Sequence, residues 1–252
     1  MYRCLDPLLA HFPGATKWMT VGDGRYGMDA HYLESKNADV TATDIADTML
    51  RKAKEDGYLR EFKKENAERL SFADHSFDIA LCQEAYHHFP RPMLVLYELV
   101  RVAKSAIVLI EPDESPILMG PAHILKMAVK ETLICIGLGC LFRDRNTNIL
   151  DSEIERVALG LNLPHVAFHG NNEVYIEGVE DETAAPESPL MRRIETEIAA
   201  QGRSAARGFS RGRPKLLVAI IFKTAIHAKL RAALHSADFE VRDLSRNPYA
   251  GR

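Results

Sequence analysis

Gly22, Asp23 and Gly24 stand between an apolar run, 17–21, and a stretch of helical character, 27–35. Glycine lets the backbone turn sharply and leaves room for a ligand where a Cβ would collide. The helix that begins just beyond presents unpaired N–H groups to an anionic group on that ligand. Asp44 ends the next strand-like stretch, 39–43, twenty residues after Gly24. A carboxylate there can accept hydrogen bonds from both hydroxyls of an adenosine ribose. Turn and acid together predict a site for an adenosine-containing cofactor.

The spacing Gly22-x-Gly24-x-x-Gly27 also satisfies the fingerprint of dinucleotide sites, a short pattern that is weak alone. Asp23 argues against that ligand, because a pyrophosphate lying along the turn would meet a like charge. S-adenosylmethionine carries no phosphate, and its sulfonium and ammonium suit an acidic turn. An NAD-dependent oxidoreductase stands as the alternative enzyme, and a non-catalytic S-adenosylmethionine-binding module as the alternative without chemistry. Tyr32 and Lys36 have the spacing of a short-chain dehydrogenase pair, but they fall in the first helix and read as helix surface. His87 and His88 follow a further apolar run, 77–82, so they lie where a strand ends and ligands bind in such sheets. Histidine suits the removal of a proton from a hydroxyl or amine nucleophile at neutral pH.

Short apolar runs alternating with helical stretches are the pattern of parallel βαβ units, and they must position these residues. Strands are predicted over 17–21, 39–43, a stretch ending near 65, 77–82 and 106–110, with helices over 27–35, 46–55 and 92–103. The rhythm then breaks at 114–150, apolar helical material that reads as a cap inserted over the substrate. Ser152 and Glu155 have capping-box spacing for a helix running to about Gly160. Later strands are expected at 173–178 and 216–223. An acidic loop at 180–189 and a helix at 190–200 lie between them, and a helix at 225–234 and a short segment at 239–241 follow. Arg203, Arg207, Arg211, Arg213 and Lys215 form a basic tract with no acid among them, read as a solvated loop or a phosphate contact.

The 252 residues can bury a sizeable core as one domain, and 46% hydrophobic with 27% charged residues is ordinary for a globular chain. A formal charge of −3 gives no global pull toward nucleic acid or an anionic membrane. The longest uncharged apolar run, the eleven residues 132–142, is too short to span a bilayer. Met1 to Phe12 has no secretory pattern, and Cys4, Cys82, Cys135 and Cys140 show no zinc-ligand spacing. A cytoplasmic protein with reduced thiols and no metal is expected.

From Trp18 to about Asp113 the order of motifs resembles the class I, seven-strand S-adenosylmethionine-dependent methyltransferases, most closely their small-molecule branch. The resemblance implies a doubly wound, Rossmann-like α/β sheet of seven strands in a single domain, 1–252, with a helical cap insertion at 114–150. It places Gly22 and Gly24 around the methionine part of the cofactor and Asp44 on the ribose. Within 65–72, Asn66 would meet the adenine amino group through its side chain, and Ala67 a ring nitrogen through its N–H. Gln83 would lie beside the methionine moiety, and His87 and His88 near the reacting methyl. Where the family commonly has an acid two positions before the first glycine, this chain has Thr20. Tyr26 takes the third glycine position, and Asn66 replaces a frequent aspartate. Asp23 or Glu84 then becomes the candidate partner of the cofactor's ammonium. The function implied is methyl transfer from S-adenosylmethionine to oxygen or nitrogen of a small molecule, with membrane partners excluded and nucleic acid disfavoured.

Overall fold

The computed structural model describes residues 2–12, 16–112, 151–171, 174, 176–177, 188–206 and 216–249. In chain order, α1 (Asp6–His11) leads to β1 (Lys17–Val21), α2 (Met28–Ser35), β2 (Asp39–Asp44) and α3 (Thr48–Glu55). Then come β3 (Phe62–Lys64), β4 (Phe77–Gln83), α4 (Pro92–Val102) and β5 (Ala103–Pro112). Beyond residue 150 lie α5 (Asp151–Gly160), β6 (His165–Asn171), α6 (Pro189–Ala206), β7 (Leu216–Phe222), α7 (Ala228–Ser236) and β8 (Glu240–Asp243).

All eight of these strands join one sheet in the order β3-β2-β1-β4-β5-β7-β6-β8. Strands β1 to β5 are parallel, whereas β7 runs antiparallel between β5 and β6. The chain order reverses at β1, where β2 lies on one side and β4 on the other. Their C-terminal ends open a crevice there, the usual place for a ligand in an open α/β sheet. Beyond the seven expected strands, β8 pairs with β6 at the far edge.

Helices on both faces of the sheet explain the unbroken apolar strands. In β5, Ile107 and Leu109 pack on one face and Val108 and Ile110 on the other. Leu96 and Leu99 of α4 are fully buried, as are Leu33 of α2 and Leu50 of α3. Helix α3 ends where Gly57 takes a φ of 73°, with its N–H donating to the Lys54 carbonyl, a left-handed stop that glycine makes without strain.

Two sequence expectations are corrected. The strand next to β7 is β6, not 173–178, of which Val174, Ile176 and Glu177 are described and are not in a strand. The flanking histidines and Gly170 weaken the β signal of His165–Asn171, although Val166 and Phe168 fill one core and Ala167 the other. Ser152 and Glu155 do not form a capping box. The helix already includes Asp151, whose carboxylate accepts the Ser152 N–H, while Glu155 takes Arg242 at 2.8 Å. The expected cap, 114–150, lies outside the described residues, as does the basic tract from Arg207 to Lys215; Arg203 falls in α6.

Candidate functional site

Strand β1 ends in Val21, and Gly22 follows with a φ of 78°. The Gly22 and Asp23 N–H groups both donate to the Thr43 carbonyl of β2, at 3.0 and 3.2 Å. This ties the turn to the neighbouring strand. A Cβ on Gly22 would stand 2.2 Å from Ala85 Cβ, and one on Gly24 would stand 2.6 Å from Asp44 Oδ2. Both glycines are therefore required by close approach.

Asp44 is held rigidly. Its Oδ2 accepts the Gly24 N–H at 2.9 Å and its Oδ1 the Ala46 N–H at 2.7 Å. The expected pairing of turn and acid is thus present as a direct contact. A cavity of about 460 Å³ opens beside it, lined by Gly22, Gly24 and Asp44 on one side and by Glu84, Ala85 and His88 on the other. Ile45, Asn66 and Ala67 also line it. A carboxylate in that position can accept hydrogen bonds from the hydroxyls of an adenosine ribose.

Asp23 does not face this cavity. It is only 3% exposed, with its carboxylate under the turn accepting the Thr20 hydroxyl at 2.8 Å and the N–H groups of Asp29 and Ala30 at 3.2 and 2.9 Å. It satisfies orphan donors in the first turn of α2, as a capping acid does. Thr20, standing where an acid is common, supplies one of its donors. The charge repulsion drawn from Asp23 against a pyrophosphate therefore has no footing in this geometry. Burial pushes Asp23 up to about 6. Asp29, buried beside it, rises to about 7 through burial and then through the Asp23 charge, while the Tyr2 hydroxyl donates to it at 2.6 Å.

Among the other expected residues, Asn66 turns its side-chain oxygen onto the Glu68 N–H at 2.9 Å. Gln83 closes β4 but does not line the cavity, and its side chain meets the Tyr2 hydroxyl. The next residue, Glu84, does line it, with a strained φ of 47° of the kind found at ligand sites. Tyr86–His88 forms a single 3-10 turn that separates the two histidines. His88 borders the cavity, whereas His87 is 7% exposed and turns its Nδ1 to Glu111 Oε2 at 2.6 Å. The two rings touch, with centroids 4.0 Å apart.

Sequence reasoning missed Glu111 and Tyr2. Glu111, 1% exposed, also accepts the Ala85 and Tyr86 N–H groups at 3.1 and 2.8 Å through Oε1. Its one sequence signal is a carboxylate directly after the apolar run 106–110. Tyr2 is distant in sequence and left no signal.

Fold and site define a class of protein: a Rossmann-like α/β sheet with a turn-and-acid contact beside a cavity at its reversal point. A family of methyltransferase domains matches residues 19–110. No curated protein shows significant similarity to the chain. Several solved structures share the fold. A protein of Bacillus halodurans solved as a candidate methyltransferase is 18% identical, with a TM-score of 0.54, over 89% of this chain and 100% of that one. The YcgJ protein of Bacillus subtilis is 19% identical with the same TM-score, covering 90% and 100%. An S-adenosylmethionine-dependent methyltransferase of Archaeoglobus fulgidus is 14% identical with a TM-score of 0.56, covering 87% and 91%. Over residues 19–110 the chain carries a methyltransferase domain, and S-adenosylmethionine is its cofactor. The dinucleotide alternative gives way.

Proposed function

We propose that the methyl acceptor is a small molecule presenting oxygen or nitrogen, bound beyond the Glu84–His88 side of the cofactor cavity. The observation that carries this is a pair of touching histidines, one on the cavity and one backed by a buried carboxylate, on the loop leaving β4. S-adenosylmethionine, when bound, supplies a methyl group already activated on a sulfonium. The protein's task is then alignment, with the nucleophile held about 3 Å from the methyl carbon, and proton removal. Asp44 holds the ribose hydroxyls, and the backbone at Gly22 and Gly24 lies along the amino-acid tail. Glu84, a carboxylate lining the cavity next to Ala85, pairs with the ammonium in place of the missing acid at Thr20. Ala67 faces the adenine, and Asn66 shapes that wall through its own turn. Asp23 and Gln83 support the site from behind. His87 and His88 are the candidates for taking the acceptor's proton.

The whole chain works in this reading as one catalytic domain. No helix among the described residues is long and apolar enough to cross a membrane. The buried thiols of Cys4 and Cys82 fit a reducing, cytoplasmic setting. Replacing His87 and His88 singly by alanine tests the assignment. Methyl transfer to the small-molecule fraction of a cell extract, followed with a labelled methyl group, should fall 10²- to 10⁴-fold for at least one of them. Affinity for S-adenosylhomocysteine should stay within about twofold, since neither ring carries the cofactor. Full turnover in both variants would end the base assignment.

A further inference from the structure

The cofactor's amino-acid tail brings a carboxylate as well as an ammonium, and the turn after β1 has already spent most of its backbone donors. The N–H groups of Gly22 and Asp23 go to the Thr43 carbonyl, and that of Gly24 goes to Asp44. Gly27 donates to the Asp23 carbonyl. The Asp29 and Ala30 N–H groups, in the first turn of α2, go to the Asp23 carboxylate. A helix N-terminus is ordinarily ready to receive an anion, but here the chain's own acid occupies it.

The cavity wall is otherwise acidic. Asp44, Glu65, Glu68 and Glu84 all line it, and a carboxylate among them meets like charge. Among the described residues, only Arg25 and His88 on that wall have side chains that can carry a positive charge. Arg25 directly follows Gly24 and is exposed. Nearby cations are already committed, since Lys63 takes Glu65 at 2.7 Å and Arg91 takes Glu68 at 2.9 Å. The Arg25 guanidinium makes no ion pair among the described residues. Asp29, held near 7 by burial and the Asp23 charge, is raised further by Glu84 and lowered by Arg25, so both charges stand near the first turn of α2. We infer that Arg25 receives the carboxylate of the cofactor's amino-acid tail, across the cavity from Glu84. A guanidinium offers two parallel N–H donors that match a carboxylate, which makes such a pair strong and directional. The inference rests on the tail lying along Gly22 and Gly24, and it adds the cation that the tail's second charge requires.

Titration calorimetry of the full chain tests this with two probes and needs no methyl acceptor. One is S-adenosylhomocysteine; the other is its decarboxylated analogue, which keeps the ammonium and lacks the carboxylate. The wild type should bind the analogue about 10- to 100-fold more weakly, as expected for losing charge-assisted hydrogen bonds. In Arg25→Ala the two probes should bind within about twofold of each other, because only S-adenosylhomocysteine loses affinity. Analogue binding that matches the wild type shows that the variant is folded. Arg25→Lys keeps the charge but not the fork, and its S-adenosylhomocysteine affinity should fall between the other two proteins. A wild type that does not distinguish the probes overturns the inference. So does an Arg25→Ala protein that keeps the full preference, or equal losses of both probes in Arg25→Ala and Arg25→Lys. Glu84→Gln reads the ammonium placement separately, since it should weaken both probes alike. If it weakens neither, Glu84 loses its role, while the Arg25 assignment is still decided by the difference between the probes.

Discussion

At the scale of single residues, the cradle depends on what two glycines leave out and what one acid holds. Gly24→Ala would drive a Cβ to 2.6 Å from the Asp44 carboxylate. Asp44 cannot retreat without losing the two N–H bonds that fix it. Calorimetry with S-adenosylhomocysteine should show Gly24→Ala binding at least about tenfold more weakly, a loss of roughly 1.4 kcal/mol. An unchanged affinity would mean that the carboxylate plays no part in the grip. Asp23 makes the opposite prediction. Its partners are its own chain's donors, so Asp23→Ala should destabilise the fold by about 1–2 kcal/mol in urea. It should leave the intrinsic cofactor affinity of folded protein near that of the wild type.

At the scale of elements, α2 is the informative one. Its first turn buries Asp29 next to Asp23, with both acids held above their ordinary range, chiefly by burial. Each binds its proton more tightly in the folded chain than in the unfolded one. Their contribution to stability is therefore complete below about pH 4, the unfolded value, and disappears as the pH rises through 6 to 7. Thermal melts between pH 5 and pH 8 should show wild-type stability falling with pH. Asp29→Asn, which keeps an oxygen for the Tyr2 hydroxyl, should flatten much of that fall; parallel curves for the two proteins would refute the assignment. Helix α4 offers a plainer case. Leu99 is fully buried against the sheet, and Leu99→Ala should cost about 2–5 kcal/mol in urea unfolding without moving any residue of the cavity wall.

The strands and helices flanking the turn were legible in sequence because each carries its own period and its own stop. Val21-Gly22, Asp44 and Gly57 all fall where the pattern places them. What was not legible depends on tertiary partners. Nothing in the order Thr20-Val21-Gly22-Asp23 tells whether the carboxylate faces a ligand or turns under to cap α2. The three donors that decide it lie on Thr20, Asp29 and Ala30 and converge only in the fold. Glu111 and His87 are 24 residues apart and meet because β5 runs parallel beside β4. Strand β6 escaped because its apolar alternation is short and flanked by histidines, so its pairing with β7 defines it better than its composition does.

At the scale of the whole molecule, a parallel half-sheet presents its reversal point at β1, and an antiparallel β7 completes the far side. That topology puts the turn after β1, the acid after β2 and the histidine loop after β4 around one cavity. The claim on which the rest stands is that the cofactor lies across this point with its ribose on Asp44. Titration calorimetry of the full chain and its Asp44→Ala variant, with S-adenosylhomocysteine and with NADH, tests it most directly. The account predicts single-site binding of S-adenosylhomocysteine that weakens about 10- to 100-fold in the variant, as expected for losing charge-assisted hydrogen bonds, and no binding of NADH. Equal S-adenosylhomocysteine affinity in the two proteins, or tight NADH binding to either, would contradict it.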